Sequence, residues 1–140
     1  MDLKHIYRDY IDCLNEQAWL RLGTFVADDV IHNDNPLGLS GYREMLKRDY
    51  AAIPDLRFNV EMMISEYPYL GSRLRFDCSP TGVFLGLPVN GRRVSFHENV
   101  FYQFDNNKIV RVRSILRLPT FLSQSVAPVA ISMNRDNPRH

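Results

Sequence analysis

The chain is poor in cysteine and carries almost no net charge. Its 140 residues include 17 basic and 16 acidic side chains, a formal net charge of +1. This balance gives no general electrostatic reason to bind nucleic acid or an anionic membrane. The only two cysteines, Cys13 and Cys78, form no CxxC motif, so neither a zinc ribbon nor a thioredoxin-type site is predicted.

Long apolar runs are also missing. No stretch approaches the roughly 20 apolar residues that cross a membrane. The N-terminal residues 1–4 lack the apolar segment of a signal peptide. We therefore expect a cytoplasmic protein with reduced thiols and no membrane partner. With 45% hydrophobic and 24% charged residues, the chain is typical of one soluble globular domain.

Helical patterns fill the first third of the sequence. Asp2 is a predicted helix cap, and apolar residues follow it at helical spacing up to Leu14. A second short helix is predicted over 17–25, with Asp28 and Asp29 after its end and a brief extended piece at 30–32. Ser40 is the predicted cap of a third helix, which Pro54 ends.

Alternating apolar residues then predict strands up to residue 118. Helices followed by antiparallel strands indicate an α+β fold. The predicted buried positions fall in four strands: Phe58, Val60, Met62 and Ile64; Leu70, Ser72, Leu74, Phe76 and Cys78; Val94, Phe96, Val100, Tyr102 and Phe104; and Val110, Val112, Ser114, Leu116 and Leu118.

Glu98 interrupts the apolar row of the third strand. A carboxylate on a buried face needs a partner or a polar pocket, because an unpaired buried charge is unfavourable. Two interpretations remain open: Glu98 pairs with a nearby arginine, or it lines a cavity. The neighbouring His97 is a second titratable candidate. His32 precedes a polar loop that contains Asp34, and is either a structural histidine or part of an acid–base site.

An apolar loop rich in Gly and Pro precedes that strand. It reads Thr-Gly-Val-Phe-Leu-Gly-Leu-Pro over 81–88 and continues as Asn-Gly-Arg-Arg-Val over 90–94. An exposed apolar loop is unfavourable, so Phe84 and Leu85 are expected to cover something apolar. These motifs, with the His-Asn loop and the Gly-Tyr-Arg helix start, resemble the SnoaL-like polyketide cyclase (ester cyclase) family.

The resemblance covers roughly residues 3–124 and implies one domain over 1–124 with a tail at 125–140. It implies the nuclear-transport-factor-2-like cone, in which N-terminal helices pack on a curved, mostly antiparallel sheet around a pocket. Family cyclases close a ring by aldol condensation without metal or cofactor, so none is expected here. It also implies an apolar, polyketide-like substrate and an acid–base aspartate on the last strand.

The sequence departs from the family at the catalytic positions. Arg117 stands at the aspartate position, Arg113 at that of a tryptophan, and Pro80 at that of a motif histidine. An arginine stays protonated and is not a general base. The resemblance also implies that Arg111, Arg113 and Arg117 point into the cone. Two interpretations remain open for Arg113 and Arg117: they pair with Glu98 or Asp77 at the rim, or they bind an anionic group of a ligand.

Three functions remain open: an acid–base enzyme, a silent binding protein for an apolar or carboxylate-bearing small molecule, and a dimeric protein-interaction module. Apolar residues on both sides of the final strand favour a homodimer built on the sheet. The catalytic candidates are Glu98, His97 and His32. The substrate-binding candidates are Trp19, Arg73, Phe84, Leu85, Arg113 and Arg117.

Overall fold

The computed structural model describes residues 2–84, 87–88 and 91–116, with the backbone alone for 83, 84, 87 and 88. Helices fill its first part and strands the rest, as the α+β prediction requires. The predicted tail at 125–140 lies outside the described residues. The elements are α1 (Leu3–Asn15), a 3₁₀ helix (Trp19–Thr24), β1 (Val26–His32), α2 (Gly38–Ala52), β2 (Asn59–Glu66), β3 (Tyr69–Cys78), β4 (Val83–Phe84), β5 (Leu87–Pro88), β6 (Val94–Asp105) and β7 (Lys108–Leu116).

The helix starts were predicted with mixed success. At α1, the Asp2 carboxylate accepts a hydrogen bond from the Lys4 backbone N–H at 3.0 Å, which confirms the predicted cap. At α2, the predicted cap at Ser40 is wrong, because the helix already begins at Gly38 and no side chain caps it. In the described part of the chain, no helix is long and apolar enough to cross a membrane.

The main sheet has the order β1-β7-β6-β3-β2. Neighbours are antiparallel except β1 and β7, which run parallel. β1 is longer than predicted, since Asp28 and Asp29 lie inside it rather than after a helix. Pairing with β7, seen at Val26 opposite Ile109, supplies hydrogen-bond partners that local turn preferences do not reveal.

The inner face of the sheet carries the core. Along β6, alternate residues from Val94 to Phe104 are buried, as predicted, and Glu98 is only 2% exposed. The same alternation holds on β3 from Leu70 to Cys78. The helices cover this face, and their buried side chains join those of the strands in one hydrophobic core.

A bulge changes the faces of β2. The register with β3 shifts between Val60 and Met62, so the alternation reverses beyond Glu61. Met63 then packs against the core, whereas Met62 and Ile64 are 54% and 68% exposed. The predicted burial of Met62 and Ile64 is therefore wrong.

A second irregularity lies where β6 meets β7, between Gln103 and Phe104. Ile109 and Val112 are buried, while Val110, predicted to be buried, is only half-buried. Arg113 lies directly opposite Phe101, which is exposed on the outer face. Directly opposed residues share one face, so Arg113 points away from the core.

Candidate functional site

A small cavity lies between the helices and the inner face of the sheet. It measures about 20 Å³, room for about one water molecule. Glu98 and Tyr102 reach it from β6, His32 from β1 and Ser114 from β7. Tyr10 on α1, Tyr42, Met45 and Leu46 on α2, and Phe58, Leu74, Val100 and Val112 complete the lining.

Glu98 sits at this cavity because of the strand alternation. Its neighbours across the sheet are Leu74 on β3 and Leu116 on β7, both apolar. Glu98 lines the cavity, as one of the two interpretations predicts. His32 is equally buried, at 1% exposure, and its ring centroid lies 5.9 Å from that of Tyr42. Two buried titratable side chains from distant parts of the chain therefore meet at one cavity.

Tyrosine hydroxyls form hydrogen bonds at and beside the cavity. Tyr10 and Tyr42 share a hydrogen bond of 2.7 Å between their hydroxyl oxygens. The Tyr7 hydroxyl donates to Ser72 Oγ at 3.0 Å and lies 3.2 Å from the Tyr102 hydroxyl oxygen. Neither Tyr7 nor Tyr10 is among the candidate site residues that the sequence predicts. The available signal was that a buried tyrosine hydroxyl must find a polar partner.

Burial keeps the phenols of Tyr7 and Tyr102 protonated. It raises the pKa of Tyr7 to about 12 and that of Tyr102 well above its ordinary value. Hydrogen bonds to Ser72 and Tyr102 oppose the shift at Tyr7 only in part. Neutral phenols are hydrogen-bond donors as well as acceptors, whereas an ionised carboxylate only accepts. The cavity thus combines phenol hydroxyls with one carboxyl group.

The raised tyrosine pKa values predict alkaline instability. Burial also raises the pKa of Tyr50, whose hydroxyl donates to the Leu14 carbonyl at 2.7 Å, to about 12. The unfolded chain loses these protons near pH 10, before the folded protein does. The contribution to stability is therefore complete below about pH 10 and is lost as the pH rises towards 12.

Urea unfolding at a series of pH values measures this effect. The free energy of unfolding should fall across that window, and Tyr50→Phe should make the slope shallower by up to about 1.4 kcal/mol per pH unit. A variant slope equal to that of the wild type would show that Tyr50 does not carry the effect.

His97 and Arg73 lie on the outer face of the sheet. His97 Nε2 is 3.5 Å from Glu61 Oε1, and Arg73 Nε donates to the same oxygen at 2.8 Å. Neither side chain lines the cavity. The structure therefore separates His97 from Glu98, its sequence neighbour, because successive strand residues point to opposite faces.

Arg113 is also engaged outside the cavity. Its guanidinium lies 3.0 Å from Asp34 Oδ1, and Arg111 Nη1 lies 3.8 Å from the same oxygen. The implied inward orientation of Arg111 and Arg113 does not hold. The partner at the rim is Asp34, rather than the Glu98 or Asp77 that the sequence suggested; Arg75 pairs with Asp77.

Trp19 packs elsewhere. Its ring meets that of Tyr50 edge-on at a centroid distance of 5.7 Å, and it is half-buried against the core without lining the cavity. Phe84 belongs to β4, paired with Leu87 of β5. The Phe84 side chain, Leu85 and Arg117 lie outside the described residues, so their predicted roles stay predictions.

A larger groove of about 910 Å³ opens elsewhere on the molecule. Asp28, Asp29, Tyr67, Lys108 and Arg111 are among its lining residues. None of the six candidate site residues with described side chains lines it, and most of its lining residues are exposed or half-buried. Among the described residues, no group of three or more His, Cys, Asp or Glu side chains could hold a metal ion. The small cavity is therefore the better candidate for chemistry.

Comparison with known proteins identifies the family. The model of the SnoaL-like polyketide cyclase family matches residues 4–125. The chain belongs to the SnoaL-like polyketide cyclase family. A crystal structure of a SnoaL-like polyketide cyclase from Agrobacterium tumefaciens has 56% sequence identity and a TM-score of 0.82, covering 84% of this chain and 92% of that one.

Two more distant members of the same fold are AclR and IdmH. AclR, a candidate hydroxylase from Streptomyces galilaeus, has 20% identity and a TM-score of 0.72, with 87% and 93% of the two chains covered. IdmH, a candidate polyketide cyclase from Streptomyces antibioticus, has 15% identity and a TM-score of 0.73, with 83% and 92% covered. Both support the SnoaL-like fold and nothing finer. No curated protein matches the sequence.

Proposed function

We propose that the chain is a cofactor-independent acid–base enzyme acting on an apolar, polyketide-like molecule, with Glu98 as proton carrier. The observation that carries this proposal is the burial of Glu98 at a cavity shared with His32 and three tyrosines. A buried titratable group in a polar-lined cavity is a candidate for catalysis. Membership of the SnoaL-like family is consistent with this chemistry.

The arrangement suits proton abstraction next to a carbonyl group. A carboxylate at Glu98 can take a proton from carbon, and a phenol such as that of Tyr42 or Tyr102 can donate a hydrogen bond to the oxygen on which charge develops. The described cavity has room for about one water molecule, so binding a ligand there requires the lining side chains to move apart. Glu98 would then serve as proton carrier where Arg117 replaces the family aspartate. Because Arg117 and Pro80 replace the family's acid–base residues, we expect aldol cyclisation to be less efficient than in the family cyclases.

The competing function is a silent binding protein. Incubating the wild-type protein with a tricyclic polyketide ester in D₂O separates the two. An acid–base enzyme would exchange the hydrogens next to the carbonyl or close a ring, with a rate above that of buffer. If the chain only binds the ester, the ester would raise the melting temperature of the protein, but neither reaction would occur. That result would refute the enzyme proposal.

We also propose that the outer face of the sheet forms a homodimer. Ile64, Gly71, Phe101 and Arg113 stand side by side across four strands. A Cβ on Gly71 would lie 3.2 Å from the Phe101 ring, so this ring covers the glycine. Phe101 is 56% exposed, and Met62, Ile64, Tyr69 and Ile115 are exposed on the same face. Clustered exposed apolar side chains favour association.

Replacing Phe101 by Glu should break this dimer, because a carboxylate would be buried where the exposed apolar side chains of the two copies meet. Light scattering at micromolar concentration should give twice the chain mass of 16.3 kDa for the wild type and the single mass for Phe101→Glu. Leu20→Glu is the matched control, since Leu20 is 99% exposed on the 3₁₀ helix and should leave the dimer intact. A wild-type protein with the mass of one chain contradicts the proposal.

A further inference from the structure

Asn33 occupies an unusual backbone position at the end of β1. It directly follows His32, the last residue of that strand, and has a φ of +47°. Its backbone N–H donates to the Val112 carbonyl of β7 at 2.8 Å. The main chain of β1 thus stays attached to β7 up to the residue at which it turns away.

The Asn33 side chain then continues the pairing with β7. Its Oδ1 accepts a hydrogen bond from the Ser114 backbone N–H at 2.8 Å, and its Nδ2 lies 3.4 Å from Ser114 Oγ. An asparagine amide carries the same acceptor and donor groups as a peptide unit. The side chain therefore takes the place of one more strand residue, after the backbone has already left the sheet.

Both residues that Asn33 connects line the cavity. His32 precedes it in the chain, and Ser114 is bonded to its side chain. The backbone of His32 is also fixed by Asn35. The His32 N–H donates to the Asn35 carbonyl at 2.9 Å, and the Asn35 N–H donates to the His32 carbonyl at 2.8 Å. Asn33 thus stands between the cavity groups that come from β1 and those that come from β7.

We propose that Asn33 is a positioning residue that sets the His32 ring and the Ser114 hydroxyl on the cavity wall. Any contribution of Asn33 to catalysis rests on the proposed acid–base function. Since Ser114 Oγ accepts from Asn33 Nδ2, the hydroxyl hydrogen points away from Asn33 and can donate into the cavity. A ligand group that accepts a hydrogen bond, such as a carbonyl oxygen, fits this hydroxyl.

Three variants test the role of Asn33. Asn33→Gly accommodates the positive φ and removes the side chain. Asn33→Asp keeps an oxygen for the Ser114 N–H but has no amide to donate to Ser114 Oγ. Asn106→Gly is the matched control, because Asn106 has a φ of +52° in the exposed turn between β6 and β7. NMR then follows the His32 ring resonances and hydrogen exchange of the Ser114 amide.

We expect Asn33→Gly to speed exchange of the Ser114 amide about fivefold, the effect of one lost hydrogen bond, and to move the His32 ring resonances. Asn33→Asp should restore the amide protection, and Asn106→Gly should change neither signal. Unchanged His32 and Ser114 signals in Asn33→Gly, or a failure of Asn33→Asp to restore the amide protection, would overturn the proposal.

If Asn33→Gly does not fold, Asn33→Asp tests the positioning role of Asn33 by itself. It should then retain the wild-type exchange of the Ser114 amide while the Ser114 side-chain resonances move, and unchanged side-chain resonances would overturn the proposal. None of these signals requires turnover. A protein without acid–base activity therefore refutes the proposed function and leaves the positioning role of Asn33 to be judged by NMR alone.

Discussion

Glu98→Gln is expected to slow the reaction by about 10²–10⁴-fold, the usual contribution of one general acid or base. The amide has nearly the shape of the carboxylate and can still hydrogen-bond within the cavity, but it cannot take up a proton. The loss should therefore appear in kcat rather than in folding. The measurement is the rate of hydrogen exchange or ring closure on the tricyclic polyketide ester, with the melting temperature of each protein recorded beside it.

Glu66→Gln provides the matched control for this experiment. Glu66 is the last residue of β2 and its side chain is exposed, so the same substitution there should leave the rate unchanged. If Glu98→Gln folds normally and keeps the wild-type rate, Glu98 is not the proton carrier. His32→Gln would then be the next variant to assay, because His32 is the other titratable side chain that lines the cavity.

Phe76→Ala should lower the free energy of unfolding by about 3–5 kcal/mol, the range for truncating a buried phenylalanine. Phe76 is 1% exposed on the inner face of β3. Its ring stacks on Phe96 at a centroid distance of 5.0 Å and meets Phe58 edge-on at 5.3 Å. Removing the ring takes away two aromatic contacts. It also leaves a cavity that the closely packed neighbours fill only in part.

Urea unfolding measures this loss, and Leu20→Ala is its control. Leu20 is almost fully exposed, so its truncation should change the free energy of unfolding by less than about 0.5 kcal/mol. A loss below about 1 kcal/mol for Phe76→Ala would mean that the aromatic cluster repacks around the gap. That outcome would contradict the prediction that the neighbours of Phe76 leave the gap unfilled.

Local patterns were enough to predict several features of this molecule. Period-two alternation placed Glu98 on the inner face of β6, and helical spacing after Asp2 placed α1. These features depend on residues close in sequence, so periodicity and capping reveal them. The Gly- and Pro-rich motif over 81–88 led to the right family, although the side chains of that loop lie outside the described residues.

Features that depend on distant partners could not be predicted from the sequence. The bulge in β2 turned Met62 outward, and no local signal marks it, because a bulge is defined by the register with another strand. The extension of β1 back to Val26 depends on the pairing of Val26 with Ile109 of β7. The implied inward direction of Arg113 failed for a similar reason, since strand pairing sets it opposite the exposed Phe101.

The sequence by itself determined the α+β class, the family and the inward direction of Glu98. The tertiary structure alone decided what Glu98 meets there. Tyr10, His32 and Ser114 come from three elements separated by many residues, and only the packing of helices on the sheet brings them to one cavity. Side-chain direction is a local property of a strand. The residues that lie around a buried carboxylate, in contrast, depend on contacts between residues far apart in the chain.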